Sequence, residues 1–468
     1  MSPANTIDDS YADNAATELK PSNAGMPQPA NQSHRYSLYV WLLVATLATL
    51  AVFQDRRWKP LEVFDSDPGG YYTYLPSLLL YQHVGRADSL YQLAEANRPS
   101  KVRNIGLQPL PNGNVITKYT LGVAAGELPW FMGAHLYASR HGDPANGFSQ
   151  PYQQSIMLAG LVYGLLGLWI VRKLLLRYFI DGTTAWTLAG VGLGTNFLVY
   201  TSYEAAMAHS ALFMWQAATL YCTARWYQSP TWRWAGGMGF FLGMAVLCRP
   251  PEILYVLVPL AWGLTSWDSL RERGTMWRAH AGHLLLAVGL GAAVVAVQLF
   301  FWHAASGQWL LDSYAGEQFD FAHPHLLEGL FSFRKGWLLY TPLAGLMLLG
   351  LGTALRQIPA AVAPTVLLLP VLLYVTFSWE AWWYGGGFSA RALVSLYPLL
   401  ALSLAALLAE AWHWQWPRKR LLQMVFLLCI ALNLWQTWQF ATGALWPDRT
   451  TGEQYKRNFF RPMPDTDR

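Results

Sequence analysis

Two carboxylates one residue apart, Asp65 and Asp67, stand in the run FDSDPGGYYTYLP, just beyond the first long apolar stretch. A carboxylate held at a membrane surface within reach of a hydroxyl can take its proton as that oxygen forms a new bond, which is general-base chemistry. The plainer reading is a turn, because Asp-Pro-Gly-Gly is ordinary turn sequence. Glu204 and His209 fall near a tight turn between two apolar stretches. There they hold an acceptor, bind a cation or assist a base; a buried His satisfied by one backbone carbonyl fits equally well. Lys118, Arg249, Arg334, Lys335 and Arg391 adjoin apolar segments. For such cations the alternative is a long side chain snorkelling to lipid headgroups. Arg334 and Lys335 also follow a loop with Glu317, Asp320, His323 and His325, residue types that bind metals but here without fixed ligand spacing.

These residues need positioning elements, and the composition states which kind. Of 468 residues only 13% are charged, against roughly a quarter in soluble proteins, while 53% are hydrophobic and 24 are Trp. A polytopic, all-α membrane protein follows, with indole rings suited to the membrane interfaces. Net charge is +5 and scattered, so no nucleic-acid partner is expected. Cys222, Cys248 and Cys429 lie in apolar segments without CxxC or Cys/His spacing, so neither a disulfide framework nor a zinc site is indicated.

Uncharged apolar stretches run approximately over 37–54, 152–171, 184–203, 205–224, 234–248, 253–267, 281–303, 337–355, 358–379, 392–409 and 421–442. They predict about eleven transmembrane helices, two of them short and separated by Arg249-Pro250-Pro251-Glu252. Residues 1–35 are polar and predict a disordered cytoplasmic tail with no cleavable signal peptide; 36–442 form the membrane domain, and 443–468 a periplasmic C-terminal tail. Segment 119–138 is long enough to span but carries Glu127, Pro129 and His135. Leaving it out places Arg172, Lys173, Arg177, Arg225, Arg233, Arg271, Arg273, Arg278, Arg356, Arg418, Lys419 and Arg420 inside, as the positive-inside rule requires. It is therefore read as an interfacial or re-entrant helix in a first periplasmic loop, 55–151, with a second large loop at 304–336. Arg249, Arg334, Lys335 and Arg391 then remain outside against the trend, which marks them as functional candidates.

The order of local motifs resembles the GT-C superfamily of glycosyltransferases, which includes protein O-mannosyltransferases and the aminoarabinose transferase of lipid A. Asp67 stands four residues before Tyr71-Tyr72, followed after one residue by Tyr74-Leu75-Pro76. Lys118-Tyr119 with Gly122 and Pro129, Met207 with His209-Ser210, and Arg249-Pro250 come next. Phe331-Ser332 with Arg334 and Gly336, Trp382-Trp383-Tyr384-Gly385-Gly386 with Phe388 and Arg391, and the end region Gln436 to Gly443 complete the series. The resemblance covers about residues 37–460.

It implies a GT-C-like fold in the bacterial inner (plasma) membrane with a cytoplasmic N-terminus and a periplasmic active site. It also implies an inverting transfer from a polyprenyl-phosphate-linked sugar donor to a hydroxyl on a lipid, glycan or protein acceptor. Alignment with the family Asp gives the base role to Asp67, with Asp65 second. A departing lipid phosphate needs cations, first Arg391 and then Lys118 and Arg249. Glu204, His209, Arg334 and Lys335 remain acceptor-binding or auxiliary candidates. Tyr71, Tyr72, Trp382, Trp383 and Tyr384 suit stacking on sugar faces, although an aromatic belt accounts for most such residues. Some enzymes of the superfamily need a divalent cation and others do not, so a metal cofactor stays open. Two other readings are an O-antigen polymerase or ligase, which usually carries its main loop late in the chain, and a transporter or flippase of lipid-linked sugars, which would place charges near mid-bilayer.

Overall fold

The computed structural model describes residues 34–89, 92, 105–314 and 316–461. The tail expected over residues 1–35 lies almost wholly outside them, as do residues 462–468. Helices dominate, and among the described residues the strands are two three-residue pieces, β1 (Leu107–Pro109) and β2 (Val115–Thr117), paired antiparallel with Leu107 opposite Thr117. The expected all-α, polytopic architecture is met. Among the described residues, six helices are long and apolar enough to cross a membrane.

Each of the eleven apolar stretches contains helix. The first, α1 (Arg35–Asp55), buries Val44, Ala48 and Val52, one residue per turn, and exposes Leu42, Leu43, Leu47 and Leu50. A helix polar on neither face fits lipid on one side and protein on the other. After it come the short α2 (Asp67–Tyr72) and α3 (Tyr74–Leu79), the strand pair, α4 (Gly122–His141) and α5 (Gln150–Leu175). The third apolar stretch breaks at Gly194 into α6 (Asp181–Leu193) and α7 (Phe197–Thr201), and α8 (Ala208–Gln228) and α9 (Trp232–Cys248) follow. At the Arg249-Pro250 break the backbone is extended, then winds as a 3-10 helix over Pro250–Val256 into α10 (Leu257–Ala261), because neither proline has an N–H to continue α9.

Beyond α11 (Trp267–Ala279) and α12 (Ala281–Ser306) the second loop carries α13 (Leu326–Phe331). Then come α14 (Trp337–Tyr340), α15 (Leu343–Gln357), α16 (Val362–Phe377), a 3-10 turn at Arg391–Leu396 leading into α17 (Tyr397–Ala411), α18 (Trp416–Ala441) and α19 (Gly452–Asn458). The layering is radial. Helix α17 is buried almost throughout, whereas α12 buries only His283, Ala287, Gln298 and Ala305. Lipid gives no hydrophobic drive between helices, so close approach at small residues must supply it. A Cβ on Gly239 of α9 would stand 1.9 Å from the Ala287 carbonyl oxygen of α12. One on Gly160 of α5 would stand 1.7 Å from that of Ala205.

Candidate active site

Asp67 does not sit in a turn. Asp-Pro-Gly-Gly opens α2, where Pro68 needs no N–H partner and the two glycines let the backbone close on its neighbours. A Cβ on Gly69 would lie 2.2 Å from the Phe64 carbonyl oxygen, and one on Gly70 2.4 Å from the Tyr119 ring. Both carboxylate oxygens of Asp67 are engaged. Arg391 Nη2, 324 residues away, donates to Oδ2 at 2.6 Å, and the Tyr119 hydroxyl donates to Oδ1 at 2.6 Å. The Asp67 side chain keeps 17% exposure. Burial pushes its carboxyl up, but the Arg391 charge and the Tyr119 and Arg391 hydrogen bonds outweigh that and hold it below the usual aspartate value.

A cavity of about 560 Å³ opens beside this pair, and Asp65, Asp67, Glu204 and Arg391 share its wall. Sequence reasoning missed another wall residue, Arg57, which donates to Glu204 at 3.0 Å and pairs with Asp55 at 3.0 Å. Its only signal was a cation just after α1, where boundary cations are common. Gly385 to Gly387 also line the cavity, next to Arg391, with Tyr384, Gly385, Gly387 and Ser389 at φ of 57°, 66°, 144° and 56°. Such a left-handed path is open to glycine and strained elsewhere. It is fixed from below. Lys335 Nζ donates to the carbonyls of Gly387 and Pro447, Gly387 N–H donates to Pro447 at 2.8 Å, and the Tyr200 hydroxyl donates to the Phe388 carbonyl at 2.9 Å. Lys335 is fully enclosed; burial first, and the nearby Arg391 charge second, hold its ammonium far below the ordinary lysine value.

The remaining candidates divide. Lys118 pairs with Glu317, lies 5.1 Å from the Tyr314 ring centre and is close enough to Asp67 to stabilise its charge. Arg249 pairs with Glu252 at 3.0 Å, donates to the Ala392 carbonyl at 3.2 Å, and has its Nη1 buried without a partner. Tyr71 packs edge-on against Tyr119 at 4.6 Å, beside the carboxylate. His209 is buried under the site, edge-on to Tyr200 at 4.8 Å, with Nε2 unpaired. Tyr72 turns into the core, stacked on Phe64 at 3.8 Å. Trp382, Trp383 and Arg334 do not line the cavity; the Arg334 guanidinium lies 3.5 Å from the Trp383 ring centre and pairs with Asp448 at 3.3 Å. Tyr384 donates its hydroxyl to the Thr376 carbonyl and carries Arg249 over its ring at 6.0 Å. Among the described residues no three His, Cys, Asp or Glu side chains converge to hold a metal ion.

Comparison with solved structures sets this arrangement in context. A crystal structure of ArnT from Cupriavidus metallidurans bound to undecaprenyl phosphate superposes with a TM-score of 0.53 at 15% identity, over 86% of this chain and 64% of that one. The chain shares the ArnT fold. It spans 64% of the length of that ArnT chain. The apo structure of the same ArnT matches with a TM-score of 0.48 at 17% identity, over 87% of this chain and 65% of that one. Residues 148–299, from α5 into α12, match the family model described as dolichyl-phosphate-mannose-protein mannosyltransferase. No curated protein sequence matches.

Proposed function

We propose that the chain is an inner-membrane glycosyltransferase that moves a sugar from a polyprenyl phosphate to an acceptor hydroxyl at the periplasmic face, with inversion and with Asp67 as general base. The observation that carries this reading is the Asp67–Arg391 pair on the wall of a cavity large enough for a sugar. The ArnT fold, with ArnT itself bound to undecaprenyl phosphate, and the mannosyltransferase match support the donor class.

In this reaction the acceptor oxygen bonds to the anomeric carbon from one face as the bond from that carbon to the phosphate oxygen breaks on the other. The acceptor proton passes to Asp67, and the bonding pair leaves with the polyprenyl phosphate. Arg391, Arg249 and Lys118 take up the charge that develops there. The resting ion pair is a poor base, because both carboxylate oxygens already accept hydrogen bonds. A phosphate that draws Arg391 toward itself loosens the guanidinium from Asp67, so the base strengthens when the donor is in place. An apolar groove of about 750 Å³ lies between α9, the Pro250–Val256 turn and α12, and its lining includes Pro250, the residue after Arg249. A polyprenyl tail lying there brings its phosphate to the cations.

The test is turnover of a polyprenyl-phosphate sugar by the purified chain in proteoliposomes, followed as release of polyprenyl phosphate. Release that requires the intact chain and falls with Arg391→Ala supports the reading. Transport of the intact donor across the vesicle membrane without cleavage would replace it with a flippase.

A further inference from the structure

The cavity beside Asp67 has a charge opposite to that of the chain as a whole. Asp55, Glu62, Asp65, Asp67 and Glu204 contribute five carboxylates to its wall, against the guanidiniums of Arg57 and Arg391, in a protein of net charge +5. Both guanidiniums are already engaged, Arg57 by Asp55 and Glu204 and Arg391 by Asp67. Lys118 and Arg249, the other cations proposed for the leaving phosphate, are absent from this wall. Carboxylates therefore outnumber cations on the cavity wall, and Lys118 and Arg249 lie outside it.

From this excess of carboxylates we infer that the cavity receives the acceptor and selects a hydroxyl-bearing head that is uncharged or carries an ammonium group, and rejects a phosphorylated one. The inference rests on the glycosyltransfer reading above. Ionised carboxylates only accept hydrogen bonds, so they match hydroxyl and ammonium donors and repel phosphate, most strongly where water is excluded. Gly385 and Gly386 leave their stretch of the wall open, since a Cβ on either would meet nothing closer than 4.0 Å. Val63, Met157 and Phe440 supply apolar surface for the C–H face of a ring.

The charge is read without turnover by placing a cysteine in the wall. The native cysteines are buried. Thr442→Cys, in the cavity, is reacted with cationic and anionic methanethiosulfonates of matched size, with exposed Gln308→Cys as the reference. The cation-to-anion rate ratio is expected to be roughly tenfold higher at Thr442→Cys. Adding Glu62→Gln should lower it about threefold. Equal or inverted ratios overturn the inference. The same protein is then given a polyprenyl-phosphate sugar with dodecyl glucoside, dodecyl glucosaminide or dodecyl glucoside 6-phosphate as acceptor. Transfer to the first two should exceed transfer to the phosphate about tenfold. Donor turnover with the 6-phosphate preferred or equal overturns the acceptor class and leaves the glycosyltransferase. A charge bias without release of polyprenyl phosphate from the donor overturns the glycosyltransferase and the acceptor class together.

Discussion

Asp67 is held in a state that serves charge stability better than proton abstraction, and its two partners are the handles on that balance. Replacing Arg391 by Ala leaves a largely enclosed carboxylate without its cation, while Arg391→Lys keeps the charge and loses the fork. We expect Arg391→Ala to lower kcat/KM for the donor by roughly 100- to 1,000-fold and Arg391→Lys to retain clearly more, with folding of both checked by thermal denaturation. Equal activity of both with wild type would make Arg391 a helix anchor only. The Tyr119 hydroxyl stabilises the ionised form of Asp67. A base with a depressed pKa is present above that pKa and is lost as pH falls through it, so with Asp67 as the base the wild-type acid limb of kcat/KM is expected below the ordinary aspartate value of 3.8. Tyr119→Phe removes one donor to the charged form, and the acid limb of kcat/KM should move to higher pH. Superimposable limbs would mean that Tyr119 does not tune the base.

The elements around these residues were legible to different degrees. All eleven apolar stretches hold helix, because uncharged runs of that length have few other ways to satisfy their backbone in lipid. Arg249-Pro250 was visible as a break for the same backbone reason. Asp-Pro-Gly-Gly was harder, since the same four residues make a turn or open a helix, and what decides is the approach of Phe64 and Tyr119 to Gly69 and Gly70. Arg57 and the anchoring of Gly387 by Lys335 were illegible, because each depends on a partner more than fifty residues away. Nor did the chain announce that Tyr72 faces the core while Tyr71, its neighbour, faces the site. Packing offers its own test at Gly160. A methyl there would enter the Ala205 carbonyl, so Gly160→Ala must push α5 from the turn carrying Glu204. The expected cost is about 1–3 kcal/mol, seen as a lower midpoint of thermal unfolding. An unchanged midpoint would show that the two segments have slack.

At the scale of the whole molecule, composition stated the membrane class, and the radial layering shows its physical form: exposed leucines on α1, a nearly lipid-bare α17, and an apolar groove lined in part by Pro250. With 15% identity to ArnT, the fold is shared while the site must speak for this chain's chemistry. Its central feature, the Asp67–Arg391 pair, joins the first loop to the 3-10 turn that leads into α17 and so brings together residues far apart in sequence. The most direct measurement is single-turnover sugar transfer by Asp67→Asn in proteoliposomes, with donor binding measured in parallel. The account predicts donor binding within a few-fold of wild type and transfer slowed roughly 100- to 10,000-fold, because the amide fills the same space but cannot take the acceptor proton. Transfer at the wild-type rate with a folded Asp67→Asn protein would contradict it.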